Sequence, residues 1–124
     1  MATRKKPITV MIVDDHSTTT SLLETLLELD GFKVIVARRG ADVMPKLGES
    51  IPDVMMIDFH LNDVEGVDII REIRAHADYK HIPIVMASGM DKSDVALEAG
   101  ANEFLLKPFE PADLPILFNR LISG

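Results

Sequence analysis

The stretch Val54-Met55-Met56-Ile57-Asp58 (VMMID, residues 54–58) decides the fold. Four apolar residues run together and close on one acid. Three other apolar runs close on a polar or charged group in the same way. Val10-Met11-Ile12-Val13 ends on Asp14-Asp15, Ile84-Val85-Met86-Ala87 on Ser88, and Phe104-Leu105-Leu106 on Lys107-Pro108. A fifth run lies near 33–37. Together they place strands near 8–13, 33–37, 53–58, 83–88 and 103–107. The runs are nearly continuous rather than alternating, the pattern of strands covered on both faces, as in a parallel sheet.

Between these runs the spacing is helical. Ser17-Thr18 are expected to cap a first helix whose apolar stripe is Leu22, Leu23, Leu26, Leu27 and Leu29, with Gly31 as its stop. A second helix is expected over Ala41 to Leu47. A third runs from Gly66 to about Ala75 and carries Val67, Ile69, Ile70 and Ile73. A short fourth spans Asp91 to Ala99 and is closed by Gly100. Glu110-Pro111 opens the last, with proline in a first-turn position. Pro45 and Pro115 interrupt this pattern, because an interior proline loses a hydrogen bond and costs about 3 kcal/mol. Each affected helix must start late enough to hold its proline in the first turn, or kink there.

The alternation βαβαβαβαβα predicts a doubly wound α/β domain with a five-stranded parallel sheet. Right-handed crossovers restrict its topology, and the flavodoxin-like order 2-1-3-4-5 leads. Its ligand crevice opens at the C-terminal ends of the strands, between strands 1 and 3, where Asp14, Asp15 and Asp58 would meet.

The bulk composition agrees with one domain, read as residues 1–124 with residues 1–7 a flexible basic arm, and shows no linker or repeat. A chain of 124 residues buries roughly 65–70% of the surface its unfolded form exposes. Cysteine is absent, which excludes disulfides and thiolate metal sites and suits a reducing compartment. No apolar stretch is long enough for a membrane span, and no signal peptide follows the basic start, so a cytoplasmic location is expected. The net charge of −7 argues against non-specific nucleic-acid binding.

Three carboxylates, a hydroxyl and an ammonium at one sheet edge suit a divalent cation and a phosphoryl group. Mg²⁺ (or Mn²⁺) is hard and takes one or two carboxylates with waters and phosphate oxygens, which Asp14, Asp15 and Asp58 supply. Without a cation these acids repel and some of their pKa values should rise. Asp58 is the expected phosphoryl acceptor, since a carboxylate can form an aspartyl phosphate and catalysis of such a transfer is mainly positioning and charge neutralisation. Lys107 and Ser88 would serve the phosphoryl oxygens. Each residue also has a plainer reading: Asp14-Asp15 as a helix cap, Asp58 as a loop acid, Ser88 as a loop serine, Lys107 as a solvated lysine. A cis Lys107–Pro108 bond is left open.

With these pieces assembled, the chain resembles the response-regulator receiver domains of two-component signalling, a CheY-like fold. VMIVDD (10–15), VMMID (54–58) with Gly66, PIVMAS (83–88) and AGANEFLLKP (99–108) stand in the family's order and cover nearly the whole chain. The resemblance implies that Asp14 and Asp15 form the metal-binding acidic pair, that Asp58 is the phosphoacceptor, and that the backbone carbonyl of His60 is a further metal ligand. It makes Ser88 the switch hydroxyl, Lys107 the site lysine and Phe104 the switch aromatic. Phe104 also reads simply as a core residue at the sheet edge. His60 and Met90 occupy positions where the family tunes the lifetime of the phosphoryl group; the plain alternative is an exposed His60. The implied partners are a histidine kinase or histidine phosphotransfer protein and an output protein, with no direct nucleic-acid or membrane contact. Enzymatic activity would be limited to self-phosphorylation and autodephosphorylation.

The chain departs from the family in two places. Asn62 stands where the loop after the phosphoacceptor usually has proline, so the loop Phe59 to Glu65 is expected to be looser, with Asp63 and Glu65 adding negative charge. Only residues 89–99 separate Ser88 from Gly100, about one turn short of the family's usual fourth helix. A reshaped output face with a non-standard partner is expected; a tolerated loop deletion is the alternative. Two other functions stay in view. One is a phosphorylation-independent interaction module on the same fold. The other is a metal-dependent phosphohydrolase, disfavoured because such enzymes need an acid two residues past the nucleophile, where this chain has His60. The stop at Gly124, directly after the last helix, suits either a stand-alone module or part of a longer protein.

Overall fold

The computed structural model describes residues 7–124; most of the expected basic arm, Met1 to Lys6, lies outside the described residues. Five strands and five helices alternate along the chain. They are β1 (Thr9–Val13), α1 (Ser17–Leu29), β2 (Lys33–Ala37), α2 (Val43–Glu49), β3 (Val54–Asp58), α3 (Gly66–Arg74), β4 (Ile84–Ser88), α4 (Ser93–Ala99), β5 (Glu103–Leu106) and α5 (Leu114–Ser123). All strand pairs are parallel, and the order is β2-β1-β3-β4-β5.

The two-residue period of the strands divides one continuous apolar run between two cores. Val10, Ile12, Val54, Met56 and Val85 face α1 and α5, where they meet Leu23, Leu27, Leu114 and Phe118. Met11, Val13, Met55, Ile57, Ile84 and Met86 pack with Leu47, Ile70, Ile73 and Ala96 of α2, α3 and α4. All five residues of β3 are buried, as a central strand covered on both faces requires.

Several local expectations need correction. The N-cap of α1 is His16, in extended conformation and with no side-chain capping bond. Ser17 is already helical, and its carbonyl accepts a bond from Thr20 Oγ1 (3.0 Å). The leucine stripe splits. Leu23 and Leu27, one turn apart, are buried, whereas Leu22, Leu26 and Leu29 stand on the neighbouring stripe and are exposed, Leu29 by 78%. Both awkward prolines are accommodated by late starts. A 3₁₀ turn over Gly40–Asp42 precedes α2, and another over Pro111–Asp113 precedes α5. Pro45 and Pro115 therefore lie in first turns, where the missing N–H has no intrahelical partner to lose. Pro111 opens the 3₁₀ turn rather than α5.

Helix α4 is short, at seven residues, and closes on Gly100 at φ +119°, a conformation that favours glycine. Its end is held from α3. The half-buried Arg74 guanidinium donates to the carbonyls of Gly100 (2.9 Å), Lys80 (2.9 Å) and Ile82 (2.8 Å) and to Asn102 Oδ1 (3.0 Å). A planar, forked donor can serve this many acceptors at once.

The loop after β3 is also more constrained than Asn62 suggests. Both carboxylate oxygens of Asp63 accept backbone N–H bonds, from Gly40 (2.9 Å) and Ala41 (3.0 Å). The negative charge that Asp63 was expected to add to the loop is thus engaged with the turn before α2. Leu61 N–H donates to Val64 O (3.2 Å) and Gly66 N–H to Phe59 O (2.7 Å), closing a small bridge between His60 and Glu65.

Candidate functional site

The sheet order sets the site. Val13 pairs with Ile57, so the residues that follow β1 emerge beside Asp58 at the end of β3. On the other side Asp58 pairs with Ala87 and Ser88 with Leu106, which brings Lys107 to the same edge across β4. Lys107 N–H donates to Ser88 O (2.8 Å), carrying the ladder one residue past β5. The peptide between Lys107 and Pro108 is cis.

The carboxylates converge. Donor atoms of Asp14, Asp15, His16 and Asp58 all lie within 4.8 Å of one another. Asp14 and Asp58 are 5% and 7% exposed. Lys107 Nζ donates to Asp58 Oδ1 at 2.8 Å and lies 3.9 Å from Asp14 Oδ2. Burial pushes the Asp58 carboxyl above its usual range, with a further upward contribution from the Asp14 charge; the hydrogen bond and charge of Lys107 act against it. At Asp58, burial thus outweighs the opposing contact with the Lys107 ammonium. Three hard oxygen donors beside one ammonium are a donor set that fits a hard divalent cation.

Gly66 permits this arrangement. A Cβ there would fall 2.2 Å from the backbone oxygen of Asp58 and 2.8 Å from Met86 Cε. The start of α3 can press against the end of β3 only without a side chain.

The other sequence-predicted residues are placed unequally. Ser88 is buried at the same edge, its Oγ accepting the backbone N–H of Met90 (3.2 Å). Phe104 pairs with Met86 in the sheet and packs, partly buried, against the α2–α3–α4 core. The His60 ring is exposed, stacked edge-on against Phe59 with Nδ1 3.7 Å from Glu65. The Met90 side chain is 63% exposed. His16 was missed by sequence reasoning, although it directly follows the acidic pair. Its Nδ1 lies 3.0 Å from Asp14 Oδ1 and 3.2 Å from Asp15 Oδ1. The hydrogen bond and charge of Asp14 hold the imidazole pKa above its usual value.

Residues 10–119 match the response regulator receiver domain. The chain belongs to that family. This receiver domain is 37% identical to the transcriptional regulatory protein GltR of Pseudomonas aeruginosa over 108 residues, 85% of this chain and 45% of GltR. It spans about half the length of the curated relatives it matches. Among solved structures, a Chloroflexus aurantiacus protein assigned as a response regulator superposes with a TM-score of 0.90 at 33% identity, covering 96% of this chain and 100% of that one. The receiver domain of a sensor histidine kinase from P. aeruginosa superposes at 0.86 with 25% identity, covering 95% and 99%, and holds a magnesium ion coordinated in its active-site cleft. Among the described residues, no helix of this receiver domain is long and apolar enough to cross a membrane.

Proposed function

We propose that this receiver domain is a phosphoacceptor signalling module, taking a phosphoryl group from a histidine kinase or phosphotransfer protein onto Asp58. The observation that carries this reading is the convergence of Asp14, Asp15 and Asp58 with Lys107 Nζ 2.8 Å from the Asp58 carboxylate. In the transfer, an Asp58 carboxylate oxygen forms a bond to phosphorus while the phosphorus–nitrogen bond of the donor phosphohistidine breaks. The electron pair leaves on the imidazole, which takes up a proton. Lys107 faces the charge that gathers on the phosphoryl oxygens, and the Ser88 hydroxyl, at the adjoining strand end, donates to another.

Asp14, Asp15 and Asp58, with the His60 carbonyl, would hold Mg²⁺ or Mn²⁺. When bound, such an ion neutralises the acidic pair and the incoming phosphoryl charge. Hydrolysis of the acylphosphate in the same site resets the domain. We propose that His60 and Met90 set part of its lifetime; an unchanged decay rate in His60→Asn would remove His60 from that role.

On phosphorylation Ser88 moves toward the phosphoryl group and Phe104 packs inward, changing the face built by α4, β5 and α5 for a protein partner. The seven-residue α4 gives that face an unusual shape. A domain of net charge −7 suits protein rather than nucleic-acid contact, and a cysteine-free sequence suits the reducing cytoplasm. The donor's own surface is expected at the groove lined by Leu22, Lys107, Pro108, Phe109 and Pro111, which opens beside the site.

The deciding experiment is phosphotransfer from a phosphorylated histidine donor in Mg²⁺, with Asp58→Ala as control. Incorporation of acid-labile phosphate that disappears in Asp58→Ala supports the reading. If beryllofluoride with Mg²⁺ leaves the amide spectrum around Asp91–Ala99 and Phe104 unchanged, the domain works without phosphorylation.

A further inference from the structure

Strand β5 closes one edge of the sheet and pairs only with β4. Between it and α5 runs an open groove of about 260 Å³. Glu103 and Leu105, on the same face of β5, line it from one side, and Asp113, Ile116 and Arg120, about one turn apart, line it from α5. Its floor is apolar. Leu114 and Leu117 are buried, and Leu105 and Phe109 pack partly buried against the same core. Ile116 stands at the rim, 70% exposed. The groove thus offers a seat for a large apolar side chain.

The rim is acidic, and unevenly so. At one end Arg120 is paired with Glu103 at 2.9 Å, which neutralises that carboxylate. Asp113 lies two turns earlier along α5, and it stands with Glu110 at the opposite end. Both are exposed, and neither forms an ion pair among the described residues. A neutral occupant would desolvate two carboxylates without pairing them, and an acidic one would be repelled. Phe109 also lines the small cavity bounded by Asp14, Asp58 and Lys107, so the groove and the acidic site share a wall.

We propose that the β5–α5 groove docks a cationic amphipathic segment of a partner protein. An apolar anchor of that segment covers Leu105 and Phe109, and a lysine or arginine beside it faces Glu110 and Asp113. The inference rests on the output face of the phosphoacceptor reading and deepens it by naming the partner's chemistry. Apolar burial supplies the contact, and the two carboxylates set its specificity and direction.

The test is an amide-shift titration of the full chain with two synthetic peptides, with and without Mg²⁺ and beryllofluoride. One peptide carries leucine anchors flanked by lysine and arginine; the other has glutamate at every basic position. The basic peptide should shift the amides of Glu103–Leu105 and Asp113–Arg120 in at least one state, and the acidic peptide should leave them in place. Neutralising the rim with Glu110→Gln and Asp113→Asn should weaken the basic peptide about fivefold or more, and asparagine keeps a good cap at the start of α5. Ile116→Ser should weaken it as well, whereas Leu29→Ser, equally exposed but on α1, should not. Equal binding of the two peptides, binding of neither in both states, a footprint at Asp14–His16 in place of the groove, or full affinity in the neutral variant would overturn the proposal. Those outcomes leave Asp58 untouched. Beryllofluoride alone tests it in the same samples, and if it shifts no amide of Ser88 or Phe104, the phosphoacceptor reading fails whatever the peptides do.

Discussion

Lys107 Nζ spans two acids, 2.8 Å from Asp58 Oδ1 and 3.9 Å from Asp14 Oδ2. One ammonium from the end of β5 thus faces carboxylates from the ends of β3 and β1. It is the main group opposing the burial that raises the Asp58 pKa. Replacing Lys107 with Met should raise that pKa further, read from the Asp58 side-chain carboxyl carbon shift against pH. Phosphoryl transfer should fall about a hundredfold, the scale of losing one aligned charge-stabilising donor. A pKa that stays put in Lys107→Met would mean that the contact does not form in solution.

Asp58 also makes stability depend on pH, with a sign that follows from its shift. Its folded pKa lies above the usual carboxylate value of about 3.9. Between the two values the folded state holds a proton that the unfolded state has lost. Stability therefore falls as pH rises through that window. Asp58→Asn removes this dependence, so the variant should gain on the parent from about pH 4 upward and then hold a constant lead. Urea midpoints at successive pH values measure it. A lead that shrinks with rising pH would contradict the shift.

The loop after β3 depends on Asp63. Its carboxylate binds Gly40 and Ala41 N–H, and these bonds hold its pKa below the usual range. In Asp63→Ala the Gly40 and Ala41 amides should exchange with solvent much faster, while amides of β3 keep their protection. Acidification should give the same local release once pH falls through the lowered pKa, because the clamp requires the ionised carboxylate. Unchanged exchange at Gly40 and Ala41 would rule out the clamp.

Gly66 has no room for a methyl group, with the Asp58 backbone oxygen 2.2 Å from where its Cβ would lie. Gly66→Ala should destabilise the domain by about 1–3 kcal/mol, the usual cost of overpacking. Because the clash is with backbone rather than a flexible side chain, the end of β3 must shift, and acetyl phosphate should label Asp58 more slowly. A variant as stable as the parent would mean that the close approach is absent.

Leu22 tests where the phosphodonor protein docks. It is exposed and lines the groove beside Lys107 without entering the core. Leu22→Asp should slow transfer from a phosphorylated histidine protein by about tenfold, the effect of losing about 1.4 kcal/mol of contact. Labelling by acetyl phosphate, which needs no docking surface, should not change. Equal slowing with both donors would place Leu22 in folding rather than recognition.

Sequence alone determined the architecture and most of the acidic site. Continuous apolar runs alternating with helical segments suit a parallel sheet covered on both faces, and in such a sheet a polar group at each run's end collects at one edge. Asp14, Asp15, Asp58, Ser88 and Lys107 were legible for that reason, as were the short α4 and its stop at Gly100. Tertiary structure decided what local pattern cannot carry. The leucine repeat of α1 does not say which stripe faces the sheet, since helix rotation is set by packing against β1 and β3. Asp63 was misjudged because its two partners lie more than 20 residues earlier and meet it only across the folded sheet edge. Gly66 read as a helix start, but its need to be glycine comes from the Asp58 carbonyl pressed against it. His16 stood beside the acidic pair in the sequence. Only the turn into α1, which folds its ring back over both carboxylates, made it part of the site.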